Sequence, residues 1–330
     1  MKILYAIQGT GNGHVSRARE IIPILKKFGQ VDLVLSGTQA EVGLEEEIRY
    51  RLHGFGFVFG KKGGVDLVKT WQEFNTVEFI KDARGLPVHS YDLIINDFEP
   101  VTAWACKLRG VDSVSLSHQS SFVSKKTPRI KGFHWGSLIM KNYAPTKQHI
   151  GFHFKPYDDF IYSPVIRSEI RNLESRDLGY YTVYLPAYSD EFILEKLQKI
   201  PQASWKVFSK HSKNQYRKGN VEVFPIDNKK FLDALASCTG LLTGGGFEGP
   251  AEALFLKKKV LCVPMRNQYE QLCNAYAIEL LGAPVVWNEA EFLIKVEQWV
   301  NASQRIELDF PNQTEEIIKN LVEKYSKTLT

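Results

Sequence analysis

The stretch from Cys238 to Ala275, CTGLLTGGGFEGPAEALFLKKKVLCVPMRNQYEQLCNA, constrains the fold more than any other part of the sequence. An apolar run predicts a strand over Gly240 to Thr243, glycines make a turn at Gly244 to Gly246, and Pro250 to Leu256 reads as a helix. Val260 to Val263 is a second strand, and a further helix starts near Tyr269. Strand, helix and strand in that order form a βαβ unit, the building block of a layered α/β domain. Glycines in the connection remove Cβ atoms where the backbone must bend sharply and lie close to a ligand. Their N–H groups then point outward at a helix start, where a phosphate is well held. Pro250 suits the first helical turn, because its missing N–H would have no partner there. Glu252 points from that turn toward the same opening; a carboxylate suits phosphate poorly but accepts hydrogen bonds readily from a ribose diol. After Val263-Pro264, residues Arg266 to Gln271 make a polar loop beside the glycine turn. The turn by itself also allows a plainer reading, a simple link between strand and helix in a doubly wound sheet.

With its downstream residues, the stretch resembles the donor-binding half of GT-B-fold glycosyltransferases. The resemblance is closest to the UDP-sugar transferases and to the N-acetylglucosaminyltransferase that completes the lipid-linked peptidoglycan precursor. Gly246, Ala251-Glu252, Val263-Pro264 and Glu270-Gln271-Leu272-Cys273-Asn274-Ala275 fall in the order and spacing of that family's pattern. The resemblance implies that Glu252 holds the ribose and that Glu270 and Gln271 hydrogen-bond the donor sugar. Two positions depart from it: Gly244 stands where relatives carry His or Arg, and Gly249 where they carry Ser or Thr. Phosphate is then left to the N–H groups of Gly244, Gly245 and Gly246 and to a basic residue from elsewhere, with Arg167 and Arg266 as candidates. Ile226, in Phe224-Pro225-Ile226-Asp227, stands in a loop like the one that reads the base in these enzymes.

The N-terminus repeats the theme. Lys2 to Ile7 is a continuous apolar run, as expected of a strand buried on both faces of a parallel sheet. It leads into Gly9-Thr10-Gly11-Asn12-Gly13-His14 and a helix expected from Val15 or Ser16 to Phe28. The third glycine comes one residue early for a dinucleotide fingerprint, and the next strand, Val31 to Leu35, ends in Ser36-Gly37 without an acidic residue. A nicotinamide cofactor is therefore disfavoured. Gly9-Thr10-Gly11, Gly13 and His14 instead resemble the glycine-rich loop that opens the lipid-linked precursor transferase. In that reading Gly11 and Gly13 let acceptor or diphosphate approach the backbone. Histidine titrates near physiological pH, so His14 can take the proton of an attacking acceptor hydroxyl. Capping the helix or binding a phosphate is the alternative role. Asp97 and Glu99 follow the strand Tyr91 to Ile95, at the edge where ligands sit in such sheets, and either can orient His14, bind acceptor hydroxyls or start a helix. His118, after the strand Val114 to Leu116, is the second base candidate.

At 330 residues the chain is long enough for two domains. Alternating strands and helices in both halves predict two doubly wound α/β lobes, which the resemblance makes GT-B. We expect an acceptor-side domain over 1–160, a nucleotide-sugar domain over 161–310, and a helix in 311–330 returning to the first domain. The link is Tyr162-Ser163-Pro164-Val165-Ile166-Arg167, from which Arg167 reaches a diphosphate or pairs with Glu169. Helices are also expected over Thr38 to Arg49 and Val65 to Ala83. Four cysteines without C-x-x-C spacing suggest neither zinc site nor disulfide framework and fit reduced thiols in a cytoplasm. No D-x-D ligand set is present, and no metal or cofactor is expected beyond the sugar nucleotide used as donor substrate.

The net charge of +5 is modest, but its distribution is not even. Residues 113 to 157 hold no Asp or Glu, while Lys125, Lys126, Arg129, Lys131, Lys141, Lys147 and Lys155 accumulate among aromatic residues. Such a surface can press on anionic lipid headgroups or hold an acidic, glycan or lipid-linked acceptor; an ordinary solvated face is the other reading. Nucleic acid fits poorly, because no binding motif accompanies the charge. The expectation is a cytoplasmic, metal-independent, inverting glycosyltransferase, for which peripheral membrane contact through 113–157 is open beside an ordinary solvated face. The alternatives are a nucleotide-sugar 2-epimerase or hydrolase of the same fold, or a sugar-nucleotide-binding protein without turnover.

Overall fold

A computed structural model describes residues 1–10, 12–37, 44, 46–54, 75–132 and 134–326. Gly11, residues 38–43 and 45 of the helix expected over Thr38 to Arg49, and the first half of that expected over Val65 to Ala83 lie outside the described residues; residues 46–49, which are described, are not helical. The first domain carries strands β1 (Lys2–Gln8), β2 (Gln30–Ser36), β3 (Tyr50–Leu52), β4 (Leu93–Asp97), β5 (Val114–Ser117), β6 (Gln148–Phe152) and β7 (Ile161–Tyr162). Its helices are α1 (Asn12–Lys26), α2 (Thr76–Gly85), α3 (Pro100–Arg109) and α4 (Trp135–Tyr143). A short helix α5 (Ser168–Arg171) follows the link. The second domain has β8 (Tyr180–Tyr184), β9 (Ser204–Ser209), β10 (Tyr216–Lys218), β11 (Val221–Pro225), β12 (Gly240–Thr243) and β13 (Lys259–Cys262). Helices α6 (Asp190–Leu197), α7 (Asn228–Ser237), α8 (Glu248–Phe255), α9 (Tyr269–Leu280), α10 (Phe292–Asn301) and α11 (Thr314–Ser326) complete the chain.

The first sheet has the order β3-β2-β1-β4-β5-β6-β7, and all its pairs are parallel. Ile3 to Ile7 are fully buried, which is why β1 reads as an unbroken apolar run: helices cover both faces of a central parallel strand. The second sheet has the order β10-β11-β9-β8-β12-β13, parallel except for the edge hairpin β10-β11. Each sheet therefore reverses its winding once, between β1 and β4 in the first and between β8 and β12 in the second. Crevices open at the carboxyl ends of the strands at such reversals. The boundary expected after residue 160 falls inside the first sheet, because Ile161 and Tyr162 pair with Gly151 and Phe152.

The domains are joined by more than the link. One apolar cluster runs from Ile3 and Ile21 in the first domain through Phe152 and Phe154 to Phe247 and Ile278 in the second. Glu20 of α1 accepts from the Ser168 backbone N–H at 2.8 Å and from its hydroxyl at 2.7 Å. The last helix, α11, lies against the first domain: Lys27 pairs with Glu315 at 2.6 Å, and Lys324 donates to Gln148 at 2.7 Å. The buried Lys259 ammonium donates to the carbonyls of Trp299, Val300 and Ala302 at the end of α10, where positive charge offsets the helix dipole. All four cysteines are free and buried, and burial pushes the Cys106 and Cys262 thiols up to about 12. Thiols so raised are poor nucleophiles. Among the described residues, no helix is long and apolar enough to cross a membrane.

Candidate active site

The first domain's share of the site grows from the ends of β1 and β4. Because α1 starts directly after the glycine turn that follows β1, His14 lies in its first turn, beside the last residue of β4. His14 Nδ1 is 2.8 Å from Asp97 Oδ1. With the proton on Nδ1, the ring donates to the carboxylate and Nε2 carries the lone pair. Asp97 has no exposed surface and also takes Arg17, with Nε 3.0 Å from Oδ2 and Nη2 2.6 Å from Oδ1. Burial would raise the Asp97 carboxyl, but the charges of Arg17 and then His14 outweigh it and hold Asp97 below its ordinary value. Burial likewise works against the Arg17 charge, and Asp97 and Glu248 reverse its effect.

No motif in the sequence singles out Arg17, although its spacing carries a signal. It stands three residues after His14, on the same helix face. Phe98, just after Asp97, has φ 55°, a left-handed conformation costly for a bulky residue. That bend sets its ring 4.7 Å from Tyr143 of α4, against the cleft side of the domain. Glu99, expected near the cleft, is instead the buried N-cap of α3, accepting from the N–H groups of Val101 and Thr102 at 2.7 Å each.

The second domain faces this with the glycine turn, and none of Gly244, Gly245 and Gly246 has a positive φ. Their backbone conformation does not demand glycine, and of the three only Gly245 is held to glycine by a close approach within the protein. For Gly245 the neighbour is internal: a Cβ would lie 2.5 Å from the Gln271 carbonyl oxygen. Its N–H donates to Gln271 Oε1 at 3.2 Å, and its carbonyl accepts from Asn274 Nδ2 at 3.2 Å. Gln271 Oε1 also accepts from the Met265 N–H at 3.1 Å. Two expectations are corrected here. Gly245 does not offer its N–H to a phosphate, and the Gln271 carbonyl ties the two loops together, leaving only its amide end for a sugar. Gly246 is different, since a Cβ there would meet nothing within 4 Å. Gly244 would meet only Gln271 Oε1 at 3.6 Å and the Val263 carbonyl at 4.0 Å.

Arg266 is exposed on the loop after β13, and its charge is felt by Tyr188 in the loop after β8, whose hydroxyl burial raises. Glu270 is half-buried in the first turn of α9. Ile226 follows β11 with 39% of its surface exposed.

The assignments of Glu252 and Arg167 are also corrected, because the two residues meet each other. Arg167 Nε donates to Glu252 Oε1 at 2.6 Å and Nη2 to Oε2 at 2.9 Å. Glu252 is 4% exposed and Arg167 8%. Both carboxylate oxygens are engaged by a guanidinium from the interdomain link, so neither side chain is open to a ribose or a diphosphate. Arg167 Nη1 also reaches Glu169 at 3.4 Å.

His118 is corrected on similar grounds. It is 1% exposed, its Nδ1 lies 2.8 Å from the Phe152 carbonyl, and its Nε2 lies 2.7 Å from Asn274 Oδ1. Its ring stacks on Phe247 at 3.8 Å, so it packs between the domains with no nitrogen left for an acceptor. Burial lowers its pKa and favours the neutral ring.

Gly13 serves a close approach from an unexpected side. A Cβ there would overlap the carboxylate of Glu248, the first residue of α8 in the other domain. That carboxylate accepts from Arg17 Nη1, so an ion pair spans the cleft beside His14. Among the described residues, no three His, Cys, Asp or Glu side chains are grouped to hold a metal ion.

A family model described as Glycosyl transferase family 1 matches residues 1–302. The chain belongs to that family.

This glycosyltransferase also has the GT-B fold that the resemblance implied, as solved structures show. A UDP-glucosyltransferase from Polygonum tinctorium capable of glucosylating indoxyl aligns with a TM-score of 0.58 at 12% identity, covering 99% of this chain and 93% of that one. MurG of Acinetobacter baumannii aligns with a TM-score of 0.52 at 11% identity, covering 98% and 99%. The Streptomyces glycosyltransferase SsfS6, complexed with thymidine diphosphate, gives 0.55 at 10% identity, covering 99% and 96%. No curated protein matches the sequence.

Proposed function

We propose that this glycosyltransferase moves a hexose or N-acetylhexosamine from a UDP-sugar to an acceptor hydroxyl, with inversion at C1. The observation that carries the reading is the 2.8 Å contact of His14 with the buried Asp97, at the edge of one sheet and across from the glycine turn of the other. The acceptor O–H gives its proton to His14 Nε2 as its oxygen bonds to C1. The bond from C1 to the diphosphate oxygen breaks, and its electron pair leaves with the nucleotide. Attack from the opposite face inverts C1. The charge on the leaving group is assigned to the N–H groups of Gly244 and Gly246 and to Arg266, acting as fixed donors where charge develops.

Thermal melting in the presence of UDP, dTDP, GDP and their sugars tests the donor half. A ligand at a hundred times its Kd stabilises the native state by about 2.7 kcal/mol. UDP and UDP-sugars are expected to raise the midpoint most; the thymidine diphosphate bound by SsfS6 makes dTDP the informative competitor. Gly246→Ala should melt like the wild type without ligand and lose the ligand-induced rise, because its Cβ meets no protein atom within 4 Å. No rise with any nucleotide would end the donor assignment.

For the acceptor we infer a lipid-linked glycan met at a membrane surface. Trp135 and Leu138 of α4 are 63% and 52% exposed, and Lys125, Lys131 and Lys141 around them are exposed as well. Exposed apolar side chains among lysines fit the boundary of an anionic bilayer. Vesicles containing phosphatidylglycerol should carry the protein down on centrifugation, and Trp135→Ser with Lys141→Ser should release it. Equal recovery with and without vesicles would remove this part of the reading.

A further inference from the structure

We propose that Glu248 is a positioning residue that sets the tautomer of His14 from across the cleft, an inference that rests on His14 acting as the base. Arg17 Nη2 lies 3.0 Å from His14 Nδ1, while Asp97 Oδ1 lies 2.8 Å from the same nitrogen. These neighbours pull in opposite directions. A guanidinium can only donate, so it favours a lone pair on Nδ1 and sends the ring proton to Nε2. That tautomer has no base to offer an acceptor. An ionised carboxylate can only accept, so Asp97 favours the proton on Nδ1 and the lone pair on Nε2.

With the two contacts so nearly matched in length, a third charge decides between them. Glu248 supplies it by accepting from Arg17 Nη1. Asp97 and Arg17 alone carry no net charge; with Glu248 the cluster carries one net negative charge. The positive field of Arg17 at Nδ1 is then offset, and the proton settles between Nδ1 and Asp97. Gly13 admits the carboxylate, since any Cβ at that position would overlap it. Glu248 belongs to α8 of the second domain, whereas His14, Arg17 and Asp97 belong to the first. The base-competent tautomer is therefore tied to the approach of the two domains, which brings donor and acceptor together.

The test reads the ring directly and needs no substrate. In ¹⁵N-labelled protein at about pH 8.5, where histidine rings are neutral, imidazole correlation spectra distinguish the two tautomers, and His14→Gln assigns the signal. The wild type should show mainly the Nδ1–H form. Glu248→Gln should shift the ratio about tenfold toward Nε2–H, the scale of one lost charge-assisted contact. Gly13→Ala should shift it the same way by displacing the carboxylate, and the double variant should go no further than either single one. A ratio unchanged in Glu248→Gln, with a wild-type melting temperature, overturns the proposal. A shift in both single variants supports it, and transfer assays on His14→Gln report separately on the base itself. Full activity there would defeat the reading of His14 and leave tautomer control standing.

Discussion

His14→Ala is expected to lower the rate of glycosyl transfer by about 10²- to 10⁴-fold, the usual contribution of a positioned general base. Its side chain is 12% exposed, at the rim of the cleft, so the loss should come with little change in melting temperature. Asp97→Asn should cost a similar factor for a different reason. An amide in place of the carboxylate weakens the pull that keeps the proton on Nδ1, and the buried Arg17 loses the opposing charge and one of the two oxygens that accept from it. Initial rates at saturating donor, on variants first shown to be folded, give the answer. Full transfer by His14→Ala would sink the base assignment. Rapid donor consumption without any acceptor would move the protein to the epimerase or hydrolase reading.

Arg167→Met should produce the largest loss of stability, about 3–5 kcal/mol, because it strands the Glu252 carboxylate in the interior. Glu252 is 4% exposed and both its oxygens are taken by Arg167, so water cannot readily replace the guanidinium. Adding Glu252→Leu to that variant should recover most of the loss, since a buried pair replaced by apolar groups of similar volume is often neutral or stabilising. Urea unfolding of the single and double variants measures both quantities. A single variant within about 1 kcal/mol of wild type, or a double variant as unstable as the single, would show that the pair is open to solvent or to a ligand.

Legibility of the fold tracked burial. β1, β8, β12 and β13 lie inside their sheets or under helices and read as largely apolar runs, because most of their residues are shut off from water. β3, β7 and β10 hold only three, two and three residues, too few to show any period. α7 escaped notice although Asp227 caps it, accepting from the Lys230 N–H at 2.8 Å. Asp227 also closes Phe224-Pro225-Ile226-Asp227, which resembles a base-binding loop, so one residue type fits both roles. The helix α4 was submerged in the count of lysines, yet it forms the wall where Tyr143 meets Phe98.

What the sequence determined by itself was local: two glycine turns after buried strands, a histidine at the start of a helix, an acidic residue at the end of a strand. From those the α/β class could be read, because strand period, turn chemistry and helix starts depend on neighbours in the chain; the GT-B architecture followed from the family resemblance, and Asp97 and Glu99 were equal candidates to orient His14. Only the tertiary structure decided how charges are shared out. Arg167 and Glu252 stand 85 positions apart and cancel each other; Arg17 and Glu248 stand 231 apart and meet beside the histidine. An ionic side chain takes the nearest opposite charge in space once water is excluded, and separation along the chain carries no record of that distance.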